Sequence, residues 1–186
     1  MITWFLKTKY FVPDLYKTDV YSLDYKQLYE SGIRILLVDL DNTLIPYDID
    51  IPDVKLIKLF ESIQTLGFEV VIISNNQRSR IKPFSLLINL PFISSAKKPL
   101  KSGFKKALKK VNQTPNPSEV LVIGDQLMTD VFGAKRMGYS VCLIEPIKKR
   151  SERWYTKFNR AIEKKMLEKI KRKYPQKYQE LKLGKR

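Results

Sequence analysis

No histidine occurs anywhere in this sequence. His-based triads, His-ligated zinc and imidazole acid/base catalysis are therefore excluded, so any chemistry has to come from carboxylates, hydroxyls, lysines or a metal. Cys142 is the single cysteine, which rules out disulfide frameworks and thiolate metal sites. Set in an apolar, strand-like run, it reads as a buried structural thiol in a reducing compartment. Long hydrophobic runs are missing as well. The first apolar stretch, Ile2 to Leu6, stops at Lys7, too short for a signal-peptide core or a spanning helix, and predicts a protein made and kept in the cytosol. Acidic residues are scarce: 19 Asp and Glu stand against 35 Lys and Arg, for a net charge of +16. That excess predicts attraction to a polyanion, whether nucleic acid, an anionic membrane surface or a phosphorylated substrate. With 186 residues the chain has room for one well-buried α/β domain plus extensions.

What is present is organised around Ile33 to Leu44. Ile33, Ile35, Leu36, Leu37 and Val38 form a near-continuous apolar run, the pattern of a strand covered on both faces in a parallel sheet. Asp39 and Asp41 stand where it ends. Two residues apart on an extended chain, they project to the same side, beyond the strand's carboxyl end, where open α/β sheets bind ligands. Two adjacent carboxylates repel, and a shared proton or a bound hard cation would hold them together. Mg²⁺ suits the second case, because it takes few protein oxygens and completes its shell with water and substrate phosphate. Taken alone, the four residues from Asp39 to Asn42 also fit a solvated strand-to-loop turn.

The rest of the chain repeats the arrangement. A helix from Pro52 to Leu66, stopped by Gly67, leads to a strand at Val70–Ile73 that ends in Ser74-Asn75-Asn76. A helical stretch around Ile81–Ile88, disturbed by Pro83, precedes a short strand at Phe92–Ser95 and then Ala96-Lys97-Lys98-Pro99. Phe104, Ala107, Leu108 and Val111 mark an amphipathic helix. Val120–Ile123 is the next strand and ends in Gly124-Asp125; Thr129 reads as the N-cap of a helix running to Met137, with Asp130 in its first turn. A fifth strand covers Val141–Ile144. This alternation predicts right-handed βαβ units, a parallel sheet of about five strands and helices on both faces. Such a sheet brings Asp39, Asp41, Ser74, Lys98, Asp125 and Asp130 to one edge, a set suited to Mg²⁺ and a phosphate dianion together.

These residues resemble the four motifs of the haloacid dehalogenase (HAD) superfamily of aspartate-dependent phosphatases: Asp39-Leu40-Asp41-Asn42-Thr43, Ser74, Lys98, and Gly124-Asp125 through Asp130. The finer resemblance is to the YqeG-type phosphatases of subfamily IIIA, related to phosphatidylglycerophosphate phosphatases. It adds Ser74-Asn75-Asn76, Lys98-Pro99 and Thr156-Lys157-Phe158-Asn159-Arg160. The resemblance implies a Rossmann-like HAD fold and a Mg²⁺-dependent phosphomonoesterase working through an aspartyl phosphate on Asp39. It implies Asp41 as general acid and then base, and Mg²⁺ held by Asp39, the Asp41 carbonyl and Asp125. Ser74 and the Asn75 backbone N–H would bind phosphoryl oxygens. Lys98 would bridge Asp39 and the phosphate, and Asp130 would position Lys98 or the metal waters. Lys97 takes the place of Lys98 if the register differs by one.

Between Asp41 and Ser74, and between Ser74 and Lys98, there is room only for a loop, a helix and a strand, which predicts a capless, open site. An open site favours phosphate carried on something large, such as phosphatidylglycerophosphate; a protein or a nucleic-acid end is the alternative. The implied division is an aromatic-rich N-terminal extension at residues 1–30, a phosphatase domain at 31–147 and a basic helical extension at 148–186. The last of these carries sixteen Lys/Arg and four Glu, +12 of the total +16. Trp154, Phe158, Ile162, Met166, Ile170 and Tyr174 recur every four residues, so the stripe spirals around the helix instead of holding one face. The first turns are expected to pack on the domain and the later ones to present a basic surface. That surface suits anionic lipid at the inner face of a membrane, RNA, or simple solvation. An RNA- or ribosome-binding protein with a vestigial phosphatase site is the reading from another class.

Overall fold

A computed structural model describes residues 7–112, 114–147 and 154–185, with the backbone alone for 154–161 and 185. The aromatic residues Trp4 and Phe5 lie outside the described residues, and so do the side chains of Trp154 and Phe158. One sheet organises the chain. Its strands are β1 (Leu15–Lys17), β2 (Ile35–Val38), β3 (Glu69–Ile73), β4 (Phe92–Ile93), β5 (Val120–Gly124) and β6 (Ser140–Ile144). They lie in the order β1-β6-β5-β2-β3-β4, and every pairing is parallel. The sheet therefore has six strands instead of about five. The additional strand, β1, is three residues long, too short to display a period, and pairs Leu15–Lys17 with Cys142–Ile144 at the sheet edge.

β2 lies between β3 and β5, with Val38 opposite both Ile72 and Ile123. Its four residues are buried on both faces, which is why the run is continuously apolar. Leu36, Val38, Val70, Ile72, Leu121 and Ile123 face one layer, made with α1 (Tyr25–Glu30), α2 (Val54–Thr65) and α3 (Arg78–Leu87). Ile35, Leu37, Val71, Ile73, Val120 and Val122 face the other, made with α4 (Lys101–Leu108), α5 (Phe132–Met137) and α6 (Trp154–Lys173). Cys142 is fully buried in the first layer, and burial pushes its thiol up to about 12. It is an inert core residue.

Local chemistry moves several element boundaries. α2 begins two residues after Pro52, because the Asp53 side chain accepts from the Leu56 N–H at 2.7 Å and caps the helix there. Pro83 does not break α3; it sits inside a helix that begins at Arg78 and buries Ile81 and Phe84. Thr129 is not an N-cap. Leu127–Val131 form one wide π-type turn entered at Gln126, and α5 follows from it to Met137, where Gly138 ends the helix at a φ of 82°.

The N-terminal segment folds onto the second layer: Phe11 is fully buried and its ring stacks on Phe132 at 4.6 Å. At the other end, Met166 and Ile170 are buried and Tyr174 is exposed, the drift expected of a four-residue step. α6 stops at Lys173, just before Pro175, which begins α7 (Pro175–Glu180). Leu181 and Leu183 then return to the second layer. No helix among the described residues is long and apolar enough to cross a membrane.

Candidate active site

β2 hands the chain to its site residues through a tight loop. The Asp39 N–H donates to Ile123 at 2.9 Å, continuing the ladder one residue beyond the strand. Asn42 then takes a left-handed conformation, φ 63°, which a short amide side chain tolerates. The Leu44 N–H closes the turn on the Leu40 carbonyl at 2.9 Å. The two carboxylates Asp39 and Asp41 are thereby aimed into different surroundings.

Asp39 belongs to a buried cluster. The Lys98 ammonium donates to Asp39 Oδ1 at 2.5 Å and to Asp130 Oδ1 at 2.6 Å. Asp130 is positioned in turn: its Oδ2 accepts from the Gln126 N–H at 3.1 Å and from the Thr129 hydroxyl at 3.2 Å. Gly124 makes room for it, since a Cβ there would collide with the Asp130 carboxyl group. Lys98, not Lys97, is therefore the lysine of the cluster. Its backbone is gripped by the Asn75 side chain, which donates through Nδ2 to the Lys98 carbonyl at 3.0 Å and accepts from the Lys98 N–H at 2.6 Å. The side chain of Asn75 thus works on the lysine loop.

Burial raises the Asp39 carboxyl to about 7; Lys98 pulls it down, while Asp130 and Asp41 push it up again. The Lys98 ammonium is lowered by burial, yet Asp130 and Asp39 together hold it above the ordinary lysine range.

Asp41 has other partners. Its Oδ2 accepts from the Asn76 side-chain amide at 2.7 Å and from the Ser74 hydroxyl at 3.3 Å. Its Oδ1 accepts from Arg80 Nε at 3.0 Å and lies 3.0 Å from Arg80 Nη2 as an ion pair. Ser74 is buried at the end of β3 and also accepts from the Asn76 N–H at 3.0 Å. Asp125 is fully buried just after Gly124, on the strand adjacent to β2. The structure thus brings all seven sequence-derived residues to the carboxyl edge of the sheet.

Two residues escape sequence reasoning. Arg80 carries a signal in hindsight: it is a cation in the first turn of α3, where the helix dipole disfavours one unless a carboxylate partner offsets the cost. Glu163 carries none. Buried on α6, it accepts from the Leu127 N–H at 2.6 Å and so holds the turn between Asp125 and Asp130.

With this geometry in place, the comparisons with known proteins are direct. Residues 1–148 match the family model described as mitochondrial PGP phosphatase. A Bacillus subtilis protein called "Probable phosphatase YqeG" is 37% identical over 165 residues, which cover 89% of this chain and 94% of that protein. The chain belongs to this phosphatase family. It is a HAD-superfamily phosphatase related to YqeG, consistent with subfamily IIIA, and its parallel sheet flanked by helices is the HAD core. Among solved structures, an uncharacterized protein from Listeria monocytogenes serotype 4b overlays with a TM-score of 0.49 at 18% identity, over 64% of this chain and 85% of that one. A protein of Legionella pneumophila assigned to subfamily III A overlays with a TM-score of 0.42 at 18% identity, over 54% and 60% of the two chains. Neither overlay bears on the activity.

HAD phosphatases generically use Mg²⁺, and the donor set of this chain fits that ion. Among the described residues no group of three or more His, Cys, Asp or Glu side chains forms a metal cage. A Mg²⁺ site needs no such cage: Asp39 and Asp125 would supply two side chains and the Asp41 carbonyl a main-chain donor, with water and substrate oxygens completing the shell. The raised Asp39 carboxyl reflects above all a carboxylate taken out of water, a loss that a hard dication would offset.

Proposed function

We propose that the chain is a Mg²⁺-dependent phosphomonoesterase that acts through an aspartyl phosphate on Asp39, with phosphatidylglycerophosphate as its preferred substrate. The observation that carries the reading is the contrast between Asp39, fixed by Lys98 in a buried cluster, and Asp41, held separately two residues away. Acyl-phosphate chemistry needs one carboxylate as nucleophile and a second, independently held, as proton carrier. Asp39 attacks phosphorus as the ester P–O bond breaks, and Asp41 gives the leaving oxygen its proton. Asp41 then takes a proton from the water that attacks the aspartyl phosphate, which releases inorganic phosphate and restores Asp39. Lys98 neutralises charge between Asp39 and the phosphoryl group, with Asp130 keeping it in place, and Ser74 with the Asn75 backbone N–H binds phosphoryl oxygens. Asp39, Asp125 and the Asp41 carbonyl would hold Mg²⁺, which would supply the charge neutralisation that lets one anion approach another.

The substrate follows from family and access. β2 and β3 are joined by one loop and α2, and β3 and β4 by α3, so we read the site as capless and open to a phosphate carried on a large or membrane-bound molecule. The basic C-terminal segment and the net charge of +16 favour an anionic surface nearby. The test is phosphate release from liposomes containing phosphatidylglycerophosphate, with and without Mg²⁺, for the wild-type chain and Asp39→Asn. Release that needs both Mg²⁺ and Asp39 is expected. Turnover of an aryl phosphate without the lipid would leave the chemistry and remove the substrate. No turnover of either, with salt-sensitive RNA binding that survives Asp39→Asn, would move the protein to the RNA-binding class.

A further inference from the structure

Arg80 does more than hold Asp41. Its guanidinium is a fork with three occupied sides: Nε and Nη2 on Asp41 Oδ1 at 3.0 Å, Nη2 also on the Pro46 carbonyl at 3.2 Å, and Nη1 on Asp50 Oδ1 at 2.7 Å. The Tyr47 ring stands 5.8 Å from it. These partners differ sharply in exposure. Asp41 is 13% exposed, Arg80 12%, and Asp50 74%. An ion pair with so exposed a carboxylate is weak, so Asp50 is the exchangeable partner and Nη1 is the donor it can surrender. The location gives that exchange a meaning. Asp41 delivers the proton to the leaving oxygen, and Arg80 touches Asp41, so Arg80 borders the space into which the leaving group departs.

We propose that Arg80 is the receptor for a second anionic group of the substrate, a phosphodiester borne by the leaving alcohol, which displaces Asp50 from Nη1 while Nε and Nη2 keep Asp41 in place. This rests on the phosphatase reading above and deepens it. The substrate class is a phosphomonoester of a polyol whose other end carries a phosphodiester. Arginine suits the task, since a planar guanidinium binds phosphate oxygens through paired N–H donors and stays charged at any working pH. Asp50 occupies the subsite until the substrate arrives, which disfavours esters lacking the second anion, because they leave the pair intact and gain nothing from it.

The test compares selectivity: kcat/KM for glycerophosphoglycerol phosphate, which has the second phosphate, divided by kcat/KM for glycerol 3-phosphate, an alkyl ester that needs the same proton from Asp41 but lacks the second phosphate. In Arg80→Gln the ratio is expected to fall at least about tenfold, with Arg80→Lys recovering part of it through charge without the fork. In Asp50→Asn, an exposed and structurally mild change, the ratio is expected to rise about threefold through a lower KM for the two-phosphate ester. A ratio unmoved in both variants, or an equal loss on both substrates in Arg80→Gln, would reduce Arg80 to a positioning residue for Asp41 and overturn the proposal. The diacylated form of the same ester in vesicles should show the same Arg80 dependence; dependence confined to vesicles would place the contact on the bilayer and also overturn it. Failure of the phosphatase reading is distinguishable, because it removes Asp39-dependent turnover of p-nitrophenyl phosphate itself.

Discussion

Asp39 and Asp41 leave the same strand two residues apart and enter opposite settings. The inner network joins Asp39, Lys98 and Asp130, with the Lys98 and Asp130 side chains 2% and 1% exposed. The outer one joins Asp41, Arg80 and Asp50, and its far end lies in solvent. Each sets two carboxylates on one cation. In the inner network neither partner can be exchanged for water, so geometry is fixed while burial makes ionisation of Asp39 costly. In the outer one the spare carboxylate is hydrated and its pairing is weak. A buried ion cluster can hold an attacking atom still and create demand for a metal, whereas a half-exposed cluster can answer to what the substrate brings.

The largest expected effects set the two carboxylates apart chemically. Asp39→Asn should lower phosphate release by roughly 10⁴-fold or more whatever the leaving group, because the nucleophile itself is gone. Asp41→Asn should cost about 10²–10⁴-fold with an alkyl phosphate, whose oxygen needs a proton, and much less with p-nitrophenyl phosphate, whose leaving group needs none. Equal losses for both esters in Asp41→Asn would remove it as the acid and dissolve the distinction. Stability should divide along the same line. Lys98→Met strands two buried carboxylates and should cost about 3–5 kcal/mol, read as the urea midpoint, while Asp50→Asn should stay within about 1 kcal/mol.

Most of the inner network is legible in the sequence, because a parallel sheet converts strand ends into neighbours without any side-chain detail. Asp39, Lys98 and Asp125 each follow an apolar run, and only their convergence had to be supposed. The outer network is not legible in that way. Arg80 and Asp50 lie on a helix and a loop, where no strand end marks them, and pairing at 30 residues' separation has no periodic signature. β1 and the wide turn at Leu127–Val131 escaped for a related reason: three residues carry no period, and a π-type turn differs from an N-capped α-turn by one hydrogen-bond register. The tail stripe was legible as a spiral, but which of its glutamates turns inward is decided by tertiary packing alone.

Metal and pH offer a middle-sized test of the cost of ionising buried Asp39. In metal-free protein the native carboxyl is raised to about 7 from an ordinary 3.8, so between these values the native state binds more protons than the unfolded one. By linkage, stability then falls as pH rises from about 4 through about 7. Metal-free protein should therefore lose roughly 5 °C or more in Tm across that window from this group, and Mg²⁺ should raise Tm more at pH 8 than at pH 5, because only the ionised site binds it well. Asp39→Asn should flatten the pH dependence. A Mg²⁺ effect of equal size at both pH values, or an unchanged slope in Asp39→Asn, would place the titrating group elsewhere.

The smallest expected effect asks whether the inner network is braced from outside. Glu163 reaches from α6 to the Leu127 N–H at 2.6 Å, and Leu127 opens the turn that presents Asp130 to Lys98. Glu163→Leu leaves that buried N–H without its acceptor, at a cost of about 1–3 kcal/mol, whereas Glu163→Gln retains a carbonyl oxygen and should cost less. If the brace acts through Asp130, kcat should fall by a similar, few-fold factor for aryl and alkyl esters, since Lys98 serves Asp39 whichever group departs. A loss confined to alkyl esters would connect α6 to Asp41 instead. A loss of stability with kcat unchanged would make Glu163 a fastening of the C-terminal helix and nothing more.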